Sequence, residues 1–311
     1  MKHQQIANLA DVDIKLLRVF QSVVERGGFS AAETALNIGR SAISRYMADL
    51  ESRLGLRLCE RGRSGFSLTE HGQAVYDETL QLFSNIEQFS EKVGALCGKL
   101  NGTLRIGTVD DISPFHRDYI ASLISNIKQR GPELRVHLEV GSPDRIERGI
   151  IQGHIHAGIV PVHRQLSGLT YYPLQHEEMR LYCAPGHPLF EIPEHKLTET
   201  VVSNCDFAAP SFFHRITPGA TLDRFIKTAK SNQVAGVAIL VRSGKFLGFL
   251  PRHYAEPWVQ QDGLRELMGE QYSYKVPFAL IVQNTSKPET FRDLILKEIK
   301  TQPNEAQQFF T

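Results

Sequence analysis

Four polar residues with the chemistry to read a nucleic acid lie close together in the chain, namely Arg40, Ser41, Ser44 and Arg45. A guanidinium group donates hydrogen bonds to guanine or to phosphate oxygens, and a hydroxyl group can pair with a base edge. The surrounding segment Arg40–Leu54 has helical periodicity, with an apolar stripe that consists of Ile43, Met47, Leu50 and Leu54. The polar residues lie off that stripe near the helix N-terminus, where a recognition helix presents base-reading side chains to the major groove.

A shorter helical pattern, Ser30–Asn37, precedes this helix, and Asn37-Ile38-Gly39 separates the two. Asn and Gly tolerate the positive φ of a tight turn, so the spacing predicts a helix-turn-helix. Ser30 and Glu33 have the spacing of a capping box, which predicts the start of the first helix at Ser30. We also place Ser30 among the predicted DNA-binding residues.

The segment that follows the recognition helix predicts a basic hairpin. Leu58–Thr69 reads as a strand, a glycine-bounded turn and a second strand, with Arg61 and Arg63 at the tip. A basic hairpin beside a recognition helix is typical of a wing that binds phosphate or the minor groove. Arg61 and Arg63 complete the predicted DNA-binding set.

The N-terminal segment resembles the DNA-binding domain of LysR-type transcriptional regulators, without gaps. The residues that carry the resemblance are Phe29-Ser30, Leu36, Ser41-Ala42-Ile43-Ser44, Leu50-Glu51, Leu54-Gly55, Leu58, Arg61, Leu68-Thr69 and Gly72. The resemblance implies a winged helix-turn-helix that binds double-stranded DNA. Three positions depart from the family's usual residues: Glu33 replaces a small Ala, Arg40 a common Gln, and Cys59 a common Phe. Because Arg suits guanine or phosphate whereas Gln suits adenine, no consensus base is carried over to Arg40.

Composition fits a globular protein of two domains. The chain has 311 residues, with 41% hydrophobic and 22% charged residues and a net charge of +1. DNA binding depends on local clustering of charge, so the low net charge does not exclude it. No apolar run is long enough to span a membrane, and the first residues lack the apolar core of a signal peptide, so we expect a cytoplasmic protein.

The cysteines predict no disulfide or metal framework. Cys59, Cys97, Cys183 and Cys205 are widely spaced and form no CxxC motif. Reduced, partly buried thiols are the simplest interpretation, and a redox-sensing pair is the alternative.

A long helix with a heptad seam follows Thr69, its predicted N-cap, and extends to about Gly98. The seam consists of Val75, Thr79, Leu82, Ile86, Phe89, Val93 and Leu96, and all of these except Thr79 are predicted dimerisation residues. The alternative is that this stripe packs on the chain's own domain. The resemblance implies an antiparallel coiled coil, a homodimer or homotetramer, and therefore an operator that is an inverted repeat. Cys97–Gly102 predicts the helix end and a hinge.

From Thr103 onward the pattern alternates strands and helices, which predicts an open, mostly parallel sheet. The predicted strands are Thr103–Val109, Arg135–Val140, His154–Val160, Arg180–Ala184, Phe246–Leu250 and Val276–Gln283. The predicted helices are Pro114–Arg130, Asp144–Gln152, Ala220–Val241, ending near Gly244, and a last one from Ser286 and Pro288 to about Lys300.

This part also resembles the LysR-type effector domain, through Leu104-Arg105-Ile106-Gly107, Pro185-Gly186-His187-Pro188-Leu189 and Val241-Arg242-Ser243-Gly244 with Gly248-Phe249-Leu250-Pro251. The resemblance implies an α/β periplasmic-binding-protein-like fold of two lobes. The expected organisation is a DNA-binding domain at 1–70, a linker and dimerisation helix at 71–102, and an effector domain at 103–311. Within the last, one lobe covers about 103–165 and 275–300, and the other about 166–274.

In such folds a small-molecule effector binds between the lobes, at strand C-termini and helix N-termini. The candidates by position are Thr108, Asp110, Asp111, Ser113, Ser142, Ser211 and Phe212. Two adjacent acids would repel an anion, so the effector is expected to be an amine, an amino acid or a polyhydroxylated compound rather than a simple carboxylate. The alternative is that one Asp caps the following helix and the other faces solvent.

No other chemistry competes strongly with a regulator. His154 and His156 lie on one predicted strand face, but a metal site needs at least one more convergent ligand, for which His163 and His176 are the nearby candidates. Exposed or hydrogen-bonded histidines are the simpler interpretation, and we expect no cofactor. No GxSxG, P-loop, HExxH or GxGxxG motif occurs, so an enzyme is not expected. The rival classes are a transport-type solute-binding protein, an α/β enzyme, and a regulator that responds to a protein partner. RNA polymerase is a further possible partner.

Overall fold

The structure is a computed structural model that describes residues 10–62, 65–96, 100–210, 224–269, 271–286 and 290–301. Side chains are described at all of these positions except 61, 62, 95, 300 and 301. The chain divides into two compact units, Met1–Phe89 and Ser90–Thr311, and each unit has its own hydrophobic core.

The described part of the first unit consists of helices and one antiparallel hairpin. Its elements are α1 (Asp11–Glu25), α2 (Phe29–Leu36), α3 (Arg40–Leu54), β1 (Cys59–Gly62), β2 (Gly65–Leu68) and α4 (Glu70–Leu96), whose last residues belong to the second unit. The core forms because the apolar stripe of α3, including Ile43, Met47 and Leu50, packs among the apolar residues of α1. This is the predicted helix-turn-helix with its hairpin, and α3 has the predicted bounds.

The start of α2 differs from the prediction. The helix begins at Phe29, its N-cap is Gly28 with φ 144°, and Ser30 lies within the first turn, so the predicted Ser30–Glu33 capping box is wrong. The reason is packing: the buried ring of Phe29 meets Phe66 of the hairpin edge-on, with 6.0 Å between ring centroids. In the turn before α3, Asn37 has the predicted positive φ of 52°, but Gly39 is extended, with φ −67°.

The hairpin is fixed to the helices on both sides. The carboxylate of Glu51, near the end of α3, accepts hydrogen bonds from the backbone N–H groups of Leu58 (2.8 Å) and Cys59 (3.3 Å). Thr69 is the N-cap of α4 as predicted, because its hydroxyl accepts a hydrogen bond from the N–H of Gly72 at 2.9 Å. Gly72 lies so close to Leu58 that a Cβ at Gly72 would come within 1.8 Å of the Leu58 carbonyl oxygen.

The predicted seam of α4 divides into two parts. Val75 and Leu82 are partly buried against the core of the first unit, and Thr79 is buried. The ring of Tyr76 also meets the ring of Phe20 in α1 edge-on, with 6.2 Å between ring centroids. This half of the seam therefore packs on the chain's own domain. The other half is exposed and consists of Ile86, Phe89, Val93 and Leu96.

The second unit contains a five-stranded sheet in the order β4-β3-β5-β13-β6. Its elements are β3 (Thr103–Thr108), α5 (Pro114–Arg130), β4 (Arg135–Val140), α6 (Pro143–Ile151), β5 (Ala157–Pro161), β6 (Leu169–Pro173) and β13 (Phe278–Gln283). The β3-α5-β4-α6-β5 segment is the predicted alternation, with β3 parallel to β4 and β5. The sheet is less parallel than expected, because β13 runs antiparallel to both β5 and β6.

A second layer is built by β7 (Glu177–Cys183), α7 (Glu199–Ser203), β8 (Asp206–Pro210), β9 (Ile226–Ser231), α8 (Val234–Arg242), β10 (Gly248–Pro251), α9 (Arg252–Val259), β11 (Arg265–Glu266) and β12 (Ser273–Val276). The last helix, α10 (Thr290–Thr301), follows β13 and packs against α5. Strands β10, β11 and β12 all pair antiparallel with β7, and β8 pairs parallel with β9.

Helix α6 packs very closely on the first sheet. A Cβ at Gly107 of β3 or Gly158 of β5 would lie 2.7 Å or 2.5 Å from the side chain of Ile146. The two glycines therefore let the helix approach the strands, which fixes the position of its N-terminal residue Ser142 at the strand ends.

The main error in the predicted elements is the helix over Ala220–Val241. Residues 211–223 lie outside the described residues, Ile226–Ser231 form a strand, and only Val234–Arg242 are helical. The strand forms because β8, distant in sequence, supplies its hydrogen-bond partners. The end near Gly244 agrees with the prediction, since Gly244 has φ 71° and donates to the carbonyl of Val241.

Several boundaries also move. The third strand begins at Ala157 rather than His154, and the predicted strand Val276–Gln283 is divided at Pro277, which has no N–H for a ladder. Strand β6 pairs with β13, so the first sheet continues beyond residue 165, where the first lobe was expected to end. Among the described residues, no helix combines the length and apolarity needed to cross a membrane.

Candidate functional site

The predicted base-reading residues lie on the outer face of α3. Arg40, Ser41 and Arg45 are exposed and Ser44 is half-buried, whereas Ile43, Met47 and Leu50 on the opposite face are buried. The guanidinium of Arg45 lies over the ring of Tyr46, 5.7 Å from its centroid. The apolar face of the helix therefore anchors it in the core, and the opposite, polar face is left accessible.

The start of α2, the start of α3 and the hairpin enclose a concave surface. It spans about 930 Å³, open solvent included, and its described lining consists of Gly27, Gly28, Phe29, Ser30, Ala31, Arg40, Ser44, Gly65 and Phe66. Ser30, Arg40 and Ser44 are thus brought together, although Ser30 is not the helix cap that was predicted. The side chain of Arg61 and all of Arg63 lie outside the described residues.

The second unit contains a cleft between its two sheet layers. The cleft spans about 700 Å³, open solvent included, and its described lining consists of Val109, Asp110, Asp111, Val140, Gly141, Ser142, Pro143, Pro161, Glu177, Met179, Asn232, Gln233, Val234, Pro251, Val276 and Phe278. The ends of β3 and β4 and the N-termini of α6 and α8 meet there, as expected for an α/β ligand site.

Asp110 and Asp111 extend from the end of β3 toward α8 of the other layer. The backbone amides of Val234 and Ala235 in the first turn of α8 interact with the carboxylates of Asp110 and Asp111, respectively. Burial raises the pKa of Asp110, and the charge of Asp111 raises it further. Burial also raises the pKa of Asp111, which has a left-handed backbone with φ 48°. Neither carboxylate caps α5, so the predicted alternative is wrong.

Ser113 is the N-cap of α5, and it joins a buried network that the sequence did not reveal. Its hydroxyl accepts a hydrogen bond from the N–H of His116 (3.3 Å) and lies 2.9 Å from His116 Nδ1. Glu177 Oε1, from the second layer, accepts a hydrogen bond from Ser113 N–H (2.6 Å) and lies 3.1 Å from the same ring nitrogen. His116 Nε2 donates to the carbonyl of Gln175 at 2.9 Å.

This network is not a Ser-His-Glu catalytic triad. In a triad the hydroxyl and the carboxylate bind opposite nitrogens of the imidazole, whereas here Ser113 and Glu177 both approach Nδ1. The ring of His116 is fully buried and stacks on Phe278, 4.6 Å away. The network therefore ties α5 to β7 beside the cleft, where Glu177 also forms part of the lining.

The other predicted effector residues have mixed outcomes. Ser142 lines the cleft as the N-cap of α6, and its side chain makes no cap hydrogen bond. Thr108 is buried, is absent from the described lining and donates to the carbonyl of Ile159 at 3.5 Å, and its role as an effector contact stays a prediction. Ser211 and Phe212 lie outside the described residues.

The predicted histidine pair has no common role. His156 is buried, its Nδ1 accepts a hydrogen bond from the Arg105 N–H at 3.0 Å, and burial lowers its pKa to about 3. A different group, Asp144, Glu147 and His163, places one ligand atom of each residue within 4.8 Å of the others. The guanidinium of Arg164 lies 3.7 Å from Asp144 and supplies a cation to that group.

Comparison with known families decides the identity. Residues 14–73 match the model described as bacterial regulatory helix-turn-helix protein, lysR family, and residues 98–298 match the LysR substrate binding domain. The chain belongs to the LysR family of transcriptional regulators.

Relatives and solved structures agree with this family. The chain is 37% identical over 298 residues to the HTH-type transcriptional activator BauR of Pseudomonas aeruginosa, covering 96% of this chain and 98% of BauR. It is 27% identical to the SDS degradation transcriptional activation protein of a Pseudomonas species, over 72% of each chain. The fold resembles full-length CbnR complexed with its target DNA (TM-score 0.60, 18% identity, 92% of this chain and 98% of that one). It also resembles the Vibrio cholerae virulence activator AphB (TM-score 0.55, 15% identity, 93% and 99%).

This LysR-family protein is therefore a DNA-binding transcriptional regulator with an effector-binding domain. The structure gives two of its departures from the usual residues a physical setting. Glu33 Oε1 accepts a hydrogen bond from the N–H of Arg40 at the start of α3. Cys59 is buried, and its Sγ lies 3.9 Å from the Glu51 carboxylate that anchors the hairpin.

Proposed function

We propose that this regulator binds an inverted-repeat operator as a dimer or tetramer and changes its DNA binding when a small molecule occupies the cleft. The proposed organisation is a DNA-binding domain at 1–70, a linker and dimerisation helix at 71–102 and an effector domain at 103–311. The observation that carries the proposal is the exposed polar face of α3, since Arg40, Ser41 and Arg45 point away from a well-packed core. We propose a cytoplasmic location, and RNA polymerase as a further partner.

Within the DNA-binding domain we assign two roles. Base edges in the major groove are contacted by Arg40, Ser41, Ser44 and Arg45, and the DNA backbone beside them is contacted by Ser30. This assignment is supported by the concave surface that Ser30, Arg40 and Ser44 line together. Arg61 and Arg63 of the wing bind phosphate or the minor groove.

Selection of bound fragments from random DNA, followed by salt titrations, tests this division of roles. Arg45→Ala should weaken binding to the preferred sequence by about 1–3 kcal/mol and relax the preference at one base pair. Arg63→Ala should weaken binding to all sequences alike and reduce the salt slope by about one. Equal losses on every sequence for both variants would contradict the assignment, and recovery of no enriched repeat would contradict the proposed operator.

For dimerisation we propose the exposed half of the α4 seam, which consists of Ile86, Phe89, Val93 and Leu96. Val75 and Leu82 remain proposed contacts at the end of this interface that lies nearer the first core. Phe89 is 69% exposed and Leu96 is 88% exposed, values that are unusual for large apolar residues. Phe89→Ser should shift the assembly toward monomers in sedimentation experiments, whereas Val75→Ala should mainly destabilise the first unit. An unchanged assembly in Phe89→Ser would argue against this surface.

A tetramer needs a second contact surface. The edge strand β4 exposes Val136 and Leu138, which lie two residues apart and share one face. Leu138→Lys should therefore leave the dimer intact and remove the tetramer, as measured by sedimentation.

For the effector we propose the cleft lined by Asp110, Asp111 and Ser142, with Ser113 acting behind it through Glu177. Ser211 and Phe212 remain proposed effector contacts. The two layers meet where the N-terminus of α8 contacts Asp110 and Asp111. Binding of an effector there would close or open the cleft, and we propose that this movement changes DNA binding.

A further inference from the structure

We infer that the cleft recognises its effector through an ammonium group, which Asp110 and Asp111 bind directly. This inference rests on the proposed effector site and names the chemical class of its ligand. It separates amines and amino acids from neutral polyhydroxylated compounds, which the sequence analysis left together.

The described lining of the cleft carries negative charge alone. Asp110, Asp111 and Glu177 contribute carboxylates to it, and its described lining contains no Lys, Arg or His. Like charges a few ångströms apart in a partly buried site repel each other strongly, so a ligand anion would be disfavoured there. A cation would be attracted by the same groups.

The two aspartates are held in place before any ligand enters. The backbone of Asp111 adopts a left-handed conformation, which Asp tolerates better than most residues. The amides of Val234 and Ala235 hold the two carboxylates at the start of α8, where the helix dipole favours negative charge. The pair is therefore a rigid acidic end of the cleft rather than a mobile surface cluster.

Protein cations neutralise this pair incompletely. Arg117 of α5 and His253 of α9 act on Asp111, and His253 Nε2 donates to the Asp111 backbone carbonyl at 3.2 Å. Among the described residues, the charged group that acts on Asp110 is Asp111, which raises the pKa of Asp110. Asp110 consequently remains a half-buried carboxylate beside another one, and an ammonium ion would relieve this repulsion.

The rest of the cleft fits a small organic body. Val109, Val140, Met179, Val276 and Phe278 supply apolar walls, which suit a short alkyl chain. The hydroxyl of Ser142 and the N-terminus of α6 form a separate polar point in the same cleft. The site can therefore accept an amine or an amino acid, which share the ammonium group.

Calorimetric titration of the full-length protein with matched compounds tests the inference. The probes are straight-chain alkylamines of two to six carbons, the ω-amino acids of the same lengths, and the corresponding carboxylic acids and alcohols. We expect at least one amine or amino acid to bind, and no carboxylic acid or alcohol to bind comparably. Asp110→Asn and Asp111→Asn should each weaken binding at least tenfold. Asp118→Asn, an exposed residue of α5 outside the cleft lining, is the matched control and should change nothing.

Three results would overturn the inference: a carboxylic acid that binds as well as the matched amine, no binding by any ammonium compound, or unchanged affinity in both cleft variants. Better binding of amino acids than of alkylamines would support it and add a role for the Ser142 end. DNA binding by the same proteins, measured in parallel, separates this inference from the proposed function. Retained operator binding with a failed amine test rejects the ligand class alone.

Discussion

Carboxylates are treated in opposite ways in the two units. In the first unit, Asp13 is buried at the start of α1, accepts a hydrogen bond from Ala10 N–H (2.9 Å) and is paired with Arg53 of α3, whose Nη2 lies 2.8 Å away. The hydrogen bond from Arg53 lowers the pKa of Asp13. In the second unit, Asp110 and Asp111 stand side by side, and burial raises the pKa of both.

The difference separates a structural charge from a functional one. Asp13 has a fixed partner, Arg53 of α3, and the ion pair joins α1 to the helix that presents Arg40 and Arg45. The pair therefore helps to hold the polar face of α3 in position. The cleft aspartates contact helix amides, and His253 and Arg117 act on Asp111, but among the described residues the charged group that acts on Asp110 is the like charge of Asp111. Proteins keep such electrostatic strain where a ligand is to bind. The first unit is thus built for constant geometry, and we propose that the second is built for a change of state.

The largest expected effect concerns the constant geometry. Gly72→Ala would place a Cβ 1.8 Å from the Leu58 carbonyl oxygen, and backbone on both sides leaves no flexible atom to yield. We expect a loss of about 3 kcal/mol or more in the stability of the first unit, with loss of DNA binding. Hydrogen exchange of peptides from each unit measures this, and the second unit should retain its protection.

Gly39→Ser is the matched control for that change. A Cβ at Gly39 has open space, the backbone is extended with φ −67°, and Ser is a favourable N-cap for α3. Unchanged or higher protection of the first unit is expected. Equal damage from the two substitutions would mean that close packing at Gly72 is not what holds the hairpin against α4.

Asp13→Asn and Asp110→Asn test the comparison itself, because their effects should have opposite signs. At neutral pH the first should lower the melting temperature of its unit by about 2–5 °C, and the second should raise that of its unit by about 1–3 °C. Unit-resolved hydrogen exchange along a thermal series gives both values. A loss of stability in both variants would show that the cleft pair is structural too.

The pH dependence sharpens this test. The folded-state pKa of Asp13 is depressed, so its stabilisation is complete above its ordinary value of 3.8 and is lost as the pH falls through the lower folded value. The folded-state pKa of Asp110 is raised, so its unfavourable contribution is absent below 3.8 and grows as the pH rises through the raised folded value. The gain from Asp110→Asn should therefore vanish on acidification before the deficit from Asp13→Asn does.

Local sequence patterns were sufficient where neighbouring residues decide the structure. Periodicity and caps predicted Arg40–Leu54, Pro114–Arg130 and Arg135–Val140 with the observed bounds. They failed for Ile226–Ser231, because the hydrogen bonds of a parallel strand come from a partner distant in the chain. The α4 seam shows the same limit, since only the fold determines that Val75 and Leu82 are used by the chain's own core.

The cleft could be predicted only in part for the same reason. Asp110, Asp111 and Ser142 follow strands, and that position alone indicated the site. Glu177 and His116 gave no local signal, because their network joins residues 61 positions apart across two layers. The partner of the aspartates, the start of α8, was likewise hidden by an incorrect helix prediction.

Glu33→Ala should have a smaller effect than the aspartate variants on stability, and a clear one on DNA binding. The substitution restores the family's usual small residue but removes the acceptor for the Arg40 N–H at the first residue of α3. We expect a loss of about 0.5 kcal/mol in the stability of the first unit and weaker operator binding. Glu33→Gln keeps a side-chain oxygen at this position and should retain most of the stability of the first unit and most of the operator affinity. Equal losses in the two variants would contradict the capping role.

Cys183→Ala should have the smallest effect on ligand binding, and it tests whether a shifted pKa alone marks a functional group. Burial raises the pKa of the Cys183 thiol to about 12. The residue is fully buried in β7 and lies outside the described cleft lining. A group that titrates abnormally only because it is buried has no reason to contact the ligand. The variant should therefore lose about 1 kcal/mol of stability in the second unit through the small cavity, while the affinity for ammonium compounds stays unchanged. An affinity loss similar to that of Asp110→Asn would show that general packing of the second layer, rather than the acidic pair, controls the cleft.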